Sequence, residues 1–81
     1  MEKRVAVIGI IIENNEMISK VNDILSENAE YIVSRMGVPY RQRNVNIITI
    51  TVDAPMNAIS SLAGKIGRLE GVTAKAIYSN I

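Results

Sequence analysis

An α+β sandwich, with a four-stranded antiparallel sheet and both helices on one face, is the fold class that three features of this 81-residue chain predict. Residues 4–13 and 45–52 are runs of β-branched residues, residues 16–28 and 55–69 repeat apolar side chains at helical spacing, and shorter strand-like runs stand at 31–36 and 72–79. The resulting order is strand, helix, strand, strand, helix, strand.

In the first strand Ala6, Ile8, Ile10 and Ile12 share one face, and Val5, Val7 and Ile11 share the other with Gly9. Asn14-Asn15 then caps a helix whose first turn carries Glu16, favourable at the positive end of the helix dipole. Met17, Ile18, Val21, Ile24 and Leu25 form its buried stripe, which ends near Asn28. A short strand over 31–36 contains Arg35, and Gly37 and Pro39 are expected to break it, leaving Tyr40-Arg41-Gln42-Arg43 as a polar connection.

The third strand places Ile48, Ile50 and Val52 on one face and Val45, Ile47, Thr49 and Thr51 on the other. Asp53-Ala54-Pro55 signals a helix start, because proline tolerates the first turn. Ile59, Leu62, Ala63, Ile66 and Leu69 supply that helix's buried stripe, and Gly71 precedes the last strand. Right-handed crossovers put the first and third strands in the centre of the sheet, giving the order 4-1-3-2 of a ferredoxin-like βαββαβ sandwich. The central strands are almost uncharged, whereas the predicted edges carry Arg35 and Lys75.

Two helices on one face leave the other face bare. The helix-side set is Ile8, Ile10, Ile12, Ile48, Ile50, Val52, Ala74 and Ala76. The bare set is Val5, Val7, Ile11, Val45, Ile47 and Ile77, mixed with Thr49, Thr51, Thr73 and Lys75. So much aliphatic surface is expected to be an interface between copies, making a dimer or tetramer.

Length allows one domain, residues 1–81, with a small core. With no cysteine and no histidine, no disulfide framework or usual structural zinc site is expected, and self-association is the remaining reinforcement. The cysteine-free composition fits a reducing cytoplasmic setting. The apolar run 5–12 is not expected to be a signal peptide, since Glu13-Asn14-Asn15 stands where small cleavage-site residues belong. No run approaches the length needed to span a bilayer. A net charge of +1 argues against direct nucleic-acid binding.

No catalytic residue is expected. Without histidine or cysteine no evident activator stands beside the serines, and Gly64 and Gly67 lie inside a helix rather than before one. Glu13-Asn14-Asn15-Glu16 reads as capping rather than as a cation site, so neither metal nor cofactor is expected. The candidate ligand- or partner-binding residues are Arg35, Tyr40, Arg41 and Arg43. Residues 31–52 contain these arginines and no acid, and guanidinium groups suit a small anion or an acidic protein surface.

The segments Arg4-Val5-Ala6-Val7-Ile8-Gly9-Ile10, Arg35-Met36-Gly37-Val38-Pro39-Tyr40-Arg41 and Asp53-Ala54-Pro55 resemble the family of iron-only hydrogenase system regulators, over essentially the whole chain. The resemblance implies a fold similar to the ACT domain and to the C-terminal domain of nickel-responsive regulators, which assemble through their sheets and sense small ligands. The chain departs from the nickel-responsive pattern, lacking the nickel-binding histidines and cysteines and any ribbon-helix-helix segment. The implied function is a non-catalytic regulatory module that binds a ligand or partner and is linked to that hydrogenase system. The alternative is a purely structural interaction module with no small-molecule ligand.

Overall fold

The structure, a computed structural model, describes residues 2–80. It contains β1 (Lys3–Ile12), α1 (Ile18–Glu27), β2 (Ile32–Tyr40), β3 (Val45–Pro55), α2 (Met56–Gly67) and β4 (Val72–Tyr78). The sheet order is β2-β3-β1-β4 with every pair antiparallel. This is the expected 4-1-3-2 order read from the other edge.

Alternation along β1 and β3 builds the core. Ala6, Ile8, Ile10 and Ile12 pair across the register with Val52, Ile50, Ile48 and Asn46, so the even-numbered residues of both strands face the helices. The side chains buried with them come from α1 (Val21, Leu25), α2 (Ile59, Leu62, Ile66), Ala54 and Val72. The core is aliphatic, and shape matching among branched side chains takes the place of aromatic bulk.

Helix α1 is entered through a 3-10 turn, Asn15–Met17, with Asn14 capping it as expected: the Asn14 Oδ1 accepts from the Glu16 N–H at 3.1 Å. Asn28 closes α1, and its Nδ2 donates to the Ile24 carbonyl at 2.8 Å. Helix α2 starts one residue later than expected, because β3 continues through Asp53 and Ala54 to Pro55, where Lys3 and Arg4 of β1 extend the ladder. Proline at that point lacks an N–H to donate and turns the chain into the helix.

A larger correction concerns β2. Gly37 and Pro39 do not end the strand, which runs on to Tyr40 and pairs with β3 down to Val45. β2 is an edge strand, the place in a sheet where proline's missing N–H is tolerated. Between Ile32 and Ser34 the register shifts: Ile32 pairs with Val52 but Ser34 pairs with Thr51. Val33 is thus an extra residue, a β-bulge, and it reverses the phase of everything after it. Arg35, Gly37 and Pro39 therefore face the helix side, while Ser34, Met36, Val38 and Tyr40 are in phase with the open side.

Candidate functional site

Two surfaces follow from this geometry. The first is the open sheet face. Val5, Val7, Ile11 and Ile77 are exposed there, Ile77 at 72%, and Val45 and Ile47 are half-buried. The bulge adds Met36 and Val38, which sequence reasoning missed because their side depends on pairing with β3. Val38, Ile47 and Ile11 stand in one cross-strand row, and Val7 and Ile77 in another. Thr51 extends the second row, and between the rows lie Thr49 and Gly9, where an added Cβ would meet nothing within 4 Å. Asp53 and Lys75 are the exposed charges on the same face of β3 and β4.

The second surface surrounds the β2–β3 connection. A ten-residue helix is roughly 15 Å long, whereas an 11-residue strand reaches about 37 Å. Helix α1 therefore leaves part of the hairpin uncovered, and a groove of about 210 Å³ opens between α1 and the β2–β3 edge. Its sides are Ile18 and Asn22 of α1 and Arg35, Gly37 and Pro39 of β2, with Ile12 and Ile48 beneath. A neighbouring depression of about 280 Å³ shares Ile18, Pro39 and Asn46 with it and extends to Tyr40, Arg41 and Asn44.

The connection itself is a 3-10 turn, Arg41–Arg43, closed by Asn44 in the left-handed region at φ 55°. Asparagine tolerates that conformation better than most residues. Three asparagines tie this tip to the start of α1: the Asn46 Nδ2 donates to the Asn15 Oδ1, and the Asn15 Nδ2 donates to the Asn44 Oδ1, both at 3.1 Å.

The predicted basic cluster is divided by this arrangement. Arg35 lies on the helix side, where its Nη2 donates to the Asn22 Oδ1. Tyr40 is in phase with the opposite face, and Arg41 and Arg43 stand in the turn. Arg41 and Tyr40 border the depression next to the groove, whereas Arg43 borders neither cavity. All four side chains are exposed. Sequence reasoning missed Asn15, Asn22 and Asn46, whose role depends on a helix and a hairpin that meet only in the fold. Among the described residues no three Asp, Glu, His or Cys side chains converge, and no helix is long and apolar enough to cross a membrane.

A ferredoxin-like sandwich with one bare sheet face and a basic hairpin tip is the class of protein these features define. Within that class, the chain belongs to the TM1266-like family, described as "Iron-only hydrogenase system regulator, putative", whose model matches residues 4–76. Among solved structures it is similar to the uncharacterized protein TM1266 from Thermotoga maritima, with a TM-score of 0.91 and 31% identity over 95% of this chain and 98% of that one. Comparison with curated proteins found no match.

Proposed function

We propose that this chain is a non-catalytic regulatory module of the iron-only hydrogenase system that works as a homo-oligomer, joined through the open faces of its sheets. Its basic hairpin tip, Tyr40, Arg41 and Arg43, serves an anionic ligand or an acidic protein partner. Family membership supports the regulatory part of this reading. The observation that carries the assembly is the open face itself, where Val5, Val7, Ile11, Met36, Val38 and Ile77 are all exposed together.

A second copy is the occupant that fits. The four strands span roughly 19 Å across and about 30 Å along, an area on the order of 600 Å² in plane before side-chain relief is added. That approaches the about 800 Å² that each partner buries in a standard interface. Among the described residues the face carries one acid, Asp53, and two bases, Lys3 and Lys75, so a two-fold arrangement lets Asp53 meet a lysine of the partner. The space above Gly9, in the middle of a central strand, admits close approach of the partner's surface.

Light scattering on a pair of adjacent substitutions tests this. Ile11→Asp, on the open face, is expected to give a folded monomer, and Ile10→Asp, fully buried, to unfold the chain. Wild-type protein that stays monomeric at high micromolar concentration overturns the assembly. Retrieval of the tagged chain from its own cell, with and without Arg41→Ala and Arg43→Ala, tests the tip.

A further inference from the structure

Gly37 poses a question that the assembly does not answer. It sits in an edge strand, where glycine weakens pairing and gives no packing. Its φ is not positive, so the backbone does not demand glycine. An added Cβ would meet nothing within 4 Å. Across the register it pairs with Ile48, so that Cβ would project to the helix side, into the groove under α1. What a glycine does there is keep the groove open.

The groove's walls divide by chemistry. Half-buried Ile18 gives aliphatic surface beside Gly37, over a floor of Ile12 and Ile48 that is almost wholly buried. At the rim Arg35 is held by one hydrogen bond to the Asn22 Oδ1. A guanidinium carries five N–H donors, so others remain to be offered. Because the Asn22 oxygen is the acceptor, its amide N–H donors are left for the same neighbourhood. A fixed cation and neutral amide donors thus stand beside an apolar trough. Among the described residues no acidic side chain borders this groove.

We infer that the α1–β2 groove is a binding site for a short aliphatic carboxylate, whose carboxylate meets Arg35 and the Asn22 amide and whose alkyl chain lies over Gly37 against Ile18 and Ile48. Planar guanidinium suits a carboxylate through paired hydrogen bonds. The trough gives the alkyl chain a surface that inorganic phosphate would leave unused. The groove opens on the helix side and shares Val38 and Ile47 of its lining with the proposed assembly face, whereas Ile11, whose substitution tests the assembly, does not border it.

The test is a titration of ¹⁵N-labelled protein with sodium butyrate, followed by amide chemical shifts, with sodium phosphate and butyramide as comparison probes at matched ionic strength. Saturable shifts centred on Ile18, Asn22, Arg35 and Gly37 are expected from butyrate, and weaker, non-saturating ones from phosphate and butyramide. Gly37→Val fills the trough without meeting other atoms at its Cβ and is expected to remain folded while abolishing the butyrate response. Arg35→Gln is expected to weaken it by about tenfold or more, in line with loss of a charge-assisted hydrogen bond. Absence of saturable shifts at these residues, equal responses to all three probes, or a butyrate response unchanged in folded Gly37→Val or in Arg35→Gln would each overturn the site.

Discussion

Gly71 joins α2 to β4 with φ at +75°, a region that side-chain-bearing residues rarely adopt, and an ideal Cβ there would lie 2.6 Å from the Asn14 Cβ. The Gly71 carbonyl also accepts from the Glu13 N–H at 2.8 Å, locking the end of β1 against this turn. Asn14 cannot give way freely, because its side chain caps the turn into α1. Gly71→Ala is therefore expected to cost about 1–3 kcal/mol. Urea denaturation checks it, as a lower midpoint at unchanged slope. Asn14→Ala removes only the cap bond and should cost about 1 kcal/mol. At the tip, Arg41 and Arg43 are exposed, and among the described residues no acidic side chain pairs with either. Their double replacement by alanine should leave stability within about 1 kcal/mol of wild type, while partner or ligand retention is lost.

Strand β2 makes its case at the level of the element. Its bulge at Val33 decides that Met36, 67% exposed, faces the open side rather than the helices. Met36→Glu, measured in the Ile11→Asp background to keep the chain monomeric, is accordingly expected to change folding stability by no more than about 0.5 kcal/mol, as at other exposed sites. A thermal melt of the variant by far-ultraviolet circular dichroism measures this, and cooperative unfolding far below Ile11→Asp alone would place Met36 in the core. Helix α2 behaves oppositely. Ile66 is fully buried against the sheet, and Ile66→Ala should cost about 2–5 kcal/mol. Lys65 in its last turn sits favourably at the negative end of the helix dipole.

For the whole molecule, the open face ties stability to association. If copies join through Ile11, Val7 and their neighbours, folding is linked to assembly by mass action, and the wild-type melting temperature should rise with protein concentration. In Ile11→Asp that concentration dependence should vanish while the secondary structure persists. Differential scanning calorimetry over a wide concentration range measures both. The Asp53 and Lys75 contribution should weaken with added salt, because exposed charges are screened over about 8–10 Å at physiological ionic strength, whereas the apolar contribution should not.

What the sequence by itself determined was whatever depends on local period. β1 and β3 announce their two faces through residue alternation, α1 and α2 through recurring aliphatic stripes, and the sheet order follows from crossover handedness and charge-free central strands. The Asn14 cap and the open-face set from β1, β3 and β4 were legible for the same reason. β2 was not, because its meaning is carried by its partner. Its length past Gly37 and Pro39 depends on being an edge, and its phase depends on one extra residue at Val33 set by pairing with β3. Only the tertiary structure could therefore separate Arg35 from Tyr40, Arg41 and Arg43, bring it to Asn22 of α1, and leave the groove over Gly37. A helix shorter than the strands beside it creates that space, and no local pattern in the chain encodes a difference in length between elements that meet only on folding.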